Sequence, residues 1–343
     1  MQVKVLEKLI CPACGNFPLA IHGFSHYNSE IIKDGVLVCR KCGLWFPIID
    51  RLLELVVHNL ADLSAWQLFY DQYAKNFKDL NLATSSFAEH EASKYKEQLD
   101  QRKHFDSWVS NKSYNYFHYE STPFWNAVDT LVFGAWRSDI RPKSWLLDVG
   151  CAQGRSTFKL IDLDIQVVGF DISKEMIRQI IKRADDGNYN HRSSFFVADA
   201  SRFPFQPMVF DYVLIYGVLH HLPNPQDALK EVDRVLKPGG RYLGCENNKT
   251  IFRNLFDLLM KIFPIWQEDA GSEPVISEKM IGEWAKGTSL DVNMNTNVFV
   301  PPHLINLFNN NVALKVLKAT NLLGNNVPYF RHHGGLIFIE GRK

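Results

Sequence analysis

Two sets of residues in this chain have types and spacings that could do chemistry. The first is Cys11 and Cys14 in CPACG with Cys39 and Cys42 in CRKCG. A CxxC turn sets two thiolates on one side of a knuckle, and the following Gly15 and Gly43 permit the left-handed turn that closes it. Two knuckles give four sulfurs, the donor set of tetrahedral zinc. Four cysteines leave no open coordination position, so the expected metal is structural. A redox dithiol would need one pair in a thioredoxin-like βαβ setting, which is absent.

The second set lies at the ends of apolar runs. Asp148 closes WLLDVG, Asp171 closes QVVGFDIS and Asp199 closes SSFFVADA. Gly150, Ala152 and Gly154 then strip side-chain bulk from the turn after the first run. Such a turn is either a tight strand-to-helix connection or a place where backbone approaches a ligand. Tyr216, His220 and His221 end a fourth run, FDYVLIYGVLHHL. A histidine there titrates in a range useful to a general base, or it only shapes the loop. Glu246 and Asn247 end a fifth, RYLGCEN, and are candidates for acceptor contacts. Cys245, mid-strand, reads as core.

The elements that must position these residues alternate between strand and helix from residue 144. SKEMIRQIIKRADD reads as an amphipathic helix capped by Ser173, and NPQDALKEVDRVLKPGG as a helix with a proline–glycine stop. RSTFKLID also reads as helical. Alternation of this kind predicts an α/β fold with a doubly wound, mostly parallel sheet. Ligands then sit beyond the carboxyl ends of the strands, where all three aspartates fall. The loop lacks the GxGxxG dinucleotide pattern, which disfavours a nicotinamide enzyme. PPHLINLFNNN is expected to be the next regular helix, with ALKVLKAT and GLIFIEGRK as the last two strands.

Ahead of this lie a small β ribbon over residues 1–58 and a helical bridge over 59–140 that could form one wall of a site. In the bridge, EHEASKYKEQLDQRKHFDSWV is polar and reads as an exposed helix or linker, and Pro123 starts a further helix. The main domain is expected over 141–343, with an insert at 247–300. Its helix IFRNLFDLLMKIFPIW is amphipathic, suiting a greasy lid over an apolar acceptor more than a membrane surface, because its charge is balanced.

LLDVGCAQG, VVGFDIS, FVADASRFPF, FDYVLIYGVLHHLPNP and LKPGGRYL, in this order, resemble the class I S-adenosylmethionine-dependent methyltransferases, in particular the type 11 branch that includes quinone-biosynthesis enzymes. Residues 1–58, with WFPI after the second knuckle, resemble the Trm112 zinc ribbon, a partner of methyltransferases. The resemblance implies a seven-stranded Rossmann-like sheet ending in an antiparallel edge hairpin. It implies S-adenosyl-L-methionine held by Asp148, Gly150, Cys151, Ala152, Gly154, Asp171, Ile172, Asp199, Ala200 and Tyr216. Asp148 would lie near the cofactor's ammonium end, Asp171 on the ribose hydroxyls, and Asp199 on the adenine amino group with Ala200 beside the ring. Cys151 is then a small loop residue and not a nucleophile. Tyr216, His220 and His221 would stand near the methyl group as catalytic candidates.

Composition narrows the partners. Lys+Arg is 38 against Asp+Glu 37, a net charge of +1, so no overall basic field draws the chain to nucleic acid. The favoured reading is an enzyme methylating a small, apolar or aromatic-like acceptor. One alternative is an RNA methyltransferase using the ribbon for RNA contact, through a local stripe of Arg40, Lys41, Lys94, Lys96, Arg102 and Lys103. Another is a non-catalytic partner protein that binds cofactor. The start lacks the apolar stretch of a signal peptide and no segment is apolar enough to span a bilayer, so the expected location is cytoplasmic, without stable membrane insertion. No motif sets an oligomeric state.

Overall fold

The first strands form an antiparallel meander whose core is aromatic. The computed structural model describes residues 1–57, 60–82, 95–110, 120–264 and 275–343. After a one-turn helix α1 (Val3–Leu6) come β1 (Ala20–Asn28), β2 (Ile31–Val38), β3 (Trp45–Ile49) and the short β4 (Leu52–Leu53), paired in chain order. Gly15 and Gly43 adopt φ of +70° and +75°, the left-handed turns the knuckles require. Helices α2 (Leu63–Gln72) and α3 (Ala74–Asp79) pack an aromatic face on this sheet. Trp66 and Phe77 lie 5.3 and 4.9 Å from Trp45, centroid to centroid, and all three are buried. Ring pairs at these separations add packing energy beyond the area they bury.

Among the described residues, helices α4 (Lys96–Ser110) and α5 (Pro123–Asp139) lead into the main sheet. Pro123 opens α5 after the cap Thr122, as expected of a residue that lacks an N–H to satisfy. The sheet alternates β5 (Trp145–Val149), β6 (Gln166–Asp171), α6 (Lys174–Asp186), β7 (Ser193–Val197), β8 (Phe210–Tyr216), α7 (Pro225–Val235) and β9 (Leu236–Asn247). It continues through α8 (Arg253–Ile262), α9 (Glu278–Ala285), β10 (Asp291–Asn297), α10 (Pro302–Ile305), α11 (Asn310–Asn326) and β11 (Leu336–Arg342). The strand order is β10-β11-β9-β8-β5-β6-β7, with β9, β8, β5, β6 and β7 parallel and β11 alone reversed, pairing antiparallel with both β9 and β10. This is the seven-stranded doubly wound α/β sheet. Ser173 caps α6 by accepting from the Met176 N–H at 3.2 Å.

Three local expectations fail. Ala313–Thr320, read as a strand, lies inside α11. Ala313, Leu317 and Asn321 recur every fourth residue on its buried face, and Asn309 caps its first turn. The edge hairpin is completed instead by Asp291–Asn297. That polar segment can be a strand because an edge strand needs only one backbone partner, here β11. The helix expected over PPHLINLFNNN shrinks to Pro302–Ile305, and RSTFKLID forms two short 3₁₀ turns, Thr157–Lys159 and Ile161–Leu163.

The meander closes the open edge of the large sheet. β7 is its last strand, and the Leu55 N–H donates to the Val197 carbonyl at 2.9 Å beside a parallel bridge from Glu54 to Val197. The Ile10 N–H donates to Pro204 O at 3.0 Å, and Arg51 makes a two-pronged ion pair with Asp185. Trp45, Leu53 and Leu55 share one buried cluster with Phe196, Phe203 and Phe205. An edge that would otherwise offer unpaired backbone is thus covered from within the chain.

Candidate active site and metal centre

The four knuckle sulfurs converge. Cys11 Sγ lies 3.6 Å from Cys42 Sγ and Cys14 Sγ 3.5 Å from Cys39 Sγ, and all four fall within 4.8 Å of one another. Tetrahedral zinc with Zn–S of about 2.3 Å places its sulfurs about 3.8 Å apart, so the cluster has that ion's size and donor chemistry. Each knuckle repeats one backbone bond: Gly15 N to Cys11 O at 2.8 Å and Gly43 N to Cys39 O at 2.9 Å. None of the four cysteines lines the cavity described next.

That cavity, about 200 Å³, opens at the carboxyl ends of β5, β6, β7 and β8. Gly150, Ala152, Asp171, Ile172, Asp199, Ala200, Tyr216 and His221 line it. Asp171 is the centre of its polar wall. One carboxylate oxygen accepts from the Ala152 N–H at 3.0 Å and the other from Ser173 N–H at 2.8 Å. Burial nonetheless pushes its carboxyl up to about 6. Asp199 accepts from the Ser201 N–H at 2.9 Å and is also shifted upward by burial. Gly217, at φ +66°, lines the cavity too, and a Cβ added there would meet only His220 Cε1, at 3.9 Å. The glycine leaves room that a bound molecule can take.

Three of the expected cofactor residues stand behind this wall. Asp148 is buried and accepts from Thr157 Oγ1 at 2.6 Å; burial pushes it up to about 7. Cys151 is buried against Gly169, and Gly154, at φ +90°, packs on Phe158 and Ile180. Gly150 is demanded by the fold as well as by any ligand, because a Cβ there would lie 2.5 Å from Val218.

The opposite wall comes from α4, through Gln98, Gln101, Phe105 and Trp108. These positions recur at spacings of three and four along one helix face, the signal that could have identified this polar segment as a wall. The helix is held by charge. Asp106 accepts from Ser173 Oγ at 2.6 Å and from Glu175 N at 3.1 Å. Arg102 lies 3.7 Å from both Asp106 and Glu54. Glu54, fully buried, also takes Lys174 and the Trp66 indole N–H at 3.2 Å. One buried carboxylate from the meander therefore joins α2, α4 and the start of α6. Arg102 is turned inward, away from the surface stripe expected of it, and Lys94 lies outside the described residues.

The histidines divide. His221 lines the cavity, with its carbonyl accepting from Gln101 and its ring edge-on to Phe105 at 5.4 Å. Burial, with His220 beside it, lowers its imidazole to about 3, so it is neutral at pH 7. His220 is buried behind it, with Nδ1 2.7 Å from Glu246 Oε2. Glu246, a candidate for acceptor contact, is buried and does not line the cavity. Its other oxygen takes the N–H groups of Val218 and Leu219 at 3.0 and 2.8 Å, fixing the loop after β8. An anionic acceptor on Nδ1 favours the proton there and leaves Nε2 as the basic nitrogen. Tyr216 stacks on Phe133 at 5.8 Å and lies under Arg155, which pairs with Asp129 at 2.7 Å.

Comparison with known proteins agrees with this geometry. Residues 147–244 match the family described as Methyltransferase domain, and residues 2–50 match the family described as Trm112p-like protein. A 27-O-demethylrifamycin SV methyltransferase of Amycolatopsis mediterranei is 31% identical over 136 residues, 39% of this chain and 50% of the relative. A ubiquinone/menaquinone biosynthesis C-methyltransferase of Bartonella quintana is 33% identical over 138 residues, 38% of this chain and 51% of the relative. The chain thus spans about half the length of these curated relatives. Among solved structures, the complex between the Haloferax volcanii Trm112 methyltransferase activator and its candidate methyltransferase overlaps 69% of this chain and 96% of that one, at 19% identity and a TM-score of 0.48. A likeness that remote carries no argument about function. By sequence, residues 147–244 match a methyltransferase domain and residues 2–50, ahead of it, a Trm112-like protein.

Proposed function

We propose that the chain is an S-adenosylmethionine-dependent methyltransferase acting on a small, apolar or aromatic-like acceptor. The observation that carries this reading is the half-buried, backbone-held Asp171 carboxylate on the wall of a cavity at the strand ends. Bound there, the cofactor would supply an activated methyl on a sulfonium. Asp171 would accept from a pair of ribose hydroxyls and Asp199 from an adenine amino group, with Ala200 and Ile172 against the ring. Gly150, Ala152 and Gly217 would let backbone approach the amino-acid end, with Asp148 acting from behind the loop through Thr157. Phe105 and Trp108 would close the cavity against water, which keeps the nucleophile in line and dry. His220, fixed by Glu246, would take a proton at Nε2 where the acceptor is an acid such as a phenol or enol. His221 and Tyr216 would shape the pocket beside it. The four cysteines would hold zinc that keeps the meander folded on the β7 edge.

Calorimetric titration with S-adenosylmethionine and with its demethylated product tests the reading. Saturable binding at one site per chain is expected, weakened roughly 10- to 100-fold by Asp171→Ala, the loss of charge-assisted hydrogen bonds. No heat with either compound would overturn it.

A further inference from the structure

Exposed apolar side chains are ordinarily scattered over a protein surface. Here, fourteen of the eighteen large exposed ones among the described residues fall within residues 251–330. They come from pieces of chain that touch. The Phe263 carbonyl, just past α8, lies 2.8 Å from His303 Nε2 on α10. At the other end of α8, Phe252 stacks on Phe330 at 6.4 Å, and Thr250 Oγ1 donates to the His333 carbonyl at 2.7 Å. Both α10 and the turn at Phe330–His332 pack on α11. Because α11 buries Ala313, Leu317 and Asn321, it turns Val312, Leu322 and Leu323 outward. Leu307, Leu323 and Phe263 are 77%, 68% and 64% exposed, too open to be core. No helix among the described residues is long and apolar enough to cross a membrane.

The charge on this face has one dominant sign. Between Asp291 and Glu340 the sequence contains no acidic residue, but it contains Lys315, Lys318 and Arg331. All three are exposed, as are Lys249 and Lys261 beside α8. Asp257, the one acid of α8, is paired with Arg253 at 2.6 Å, and Glu278 is hydrogen-bonded to His332 Nδ1 at 2.6 Å. Glu268, Asp269 and Glu273 lie outside the described residues. Leucine, isoleucine and phenylalanine interleaved with lysine and arginine is the surface chemistry of interfacial binding.

We propose that this face docks on the surface of an anionic lipid bilayer. Leu258, Ile262, Phe263, Leu307 and Leu323 enter the boundary between headgroups and acyl chains, and Lys261, Lys315, Lys318 and Arg331 meet the lipid phosphates. A second copy of the chain fits less well, since a two-fold contact would oppose these cations to one another. The face begins at Ile251, four residues after Asn247 at the carboxyl end of β9, and so at the same end of the sheet as the cavity. Docking requires no methyl transfer, so its test is independent of the proposed reaction.

The test is flotation of the full chain with vesicles of phosphatidylcholine alone and of phosphatidylcholine mixed with phosphatidylglycerol. Flotation with the mixed vesicles, declining as salt is raised, is expected. Phe263→Glu and Leu323→Glu should each raise the lipid concentration for half-binding roughly tenfold, with unchanged unfolding midpoints because both positions are exposed. Lys315→Glu with Lys318→Glu should remove the preference for the anionic vesicles. Three results would overturn the proposal: no flotation with either vesicle, variants that bind like the parent chain, or a solution dimer that Phe263→Glu converts to monomer.

Discussion

Both carboxylate oxygens of Asp171 already take a backbone N–H, yet burial holds its carboxyl at about 6 and that of Asp148 at about 7. Both stand above the ordinary aspartate value of about 3.9. Between those limits the folded chain keeps protons that the unfolded chain has released, so stability falls as pH rises from about 4 toward 7. Each group contributes a slope of roughly 1.4 kcal/mol per pH unit within its window. Urea midpoints measured between pH 5 and 7 should fall for the parent chain and fall less for Asp148→Asn. The same ionisation favours a ligand bearing hydroxyls and an ammonium group, so affinity for S-adenosylmethionine should rise over that range. Glu246→Gln tests a different residue. It removes the charge beneath His220 while keeping an acceptor for Val218 and Leu219. A loss of about 2–4 kcal/mol is expected, with a shifted pH profile of activity if His220 is a base. A flat profile in both proteins would confine the pair to shaping the loop.

The elements that carry the site differ in how plainly the sequence announced them. β5, β6, β7 and β8 were legible because each is an apolar run, and Asp148, Asp171 and Asp199 lie at or within two residues of the ends of the first three, where they face or back the cavity. α11 was misread because an expected closing hairpin overrode the spacing of Ala313, Leu317 and Asn321. Glu246 was misread for a different reason: its partners Val218, Leu219 and His220 belong to another strand's loop, which no local pattern reveals. The α4 wall is similar, since its apolar face is short and its polar residues Arg102 and Asp106 find Glu54, Ser173 and Glu175 only through the fold. That charge network gives the element-scale prediction. Glu54→Gln leaves Lys174 and Arg102 without their buried counter-charge and should cost about 3–5 kcal/mol. It should also loosen α4, read as faster amide exchange at Phe105 and Trp108 than in the parent chain. Unchanged exchange there would show that α4 is held by its own contacts.

At the scale of the molecule, the meander and the large sheet share one buried cluster, so a metal held by the four cysteines should stabilise more than the knuckles. Chelation of zinc, or Cys14→Ser, is expected to lower the thermal midpoint of the whole chain and to expose the β7 edge to aggregation. A midpoint that ignores chelator would place the metal outside the folding unit. The central claim, that this domain transfers a methyl group to a small apolar acceptor, has a direct measurement. The chain is incubated with methyl-tritiated S-adenosylmethionine and an extract of the cells it comes from, and RNA, protein and solvent-extractable molecules are separated. The account predicts label in the solvent-extractable fraction, abolished by Asp171→Ala. Label confined to RNA or protein, or none above that of the variant, would contradict it.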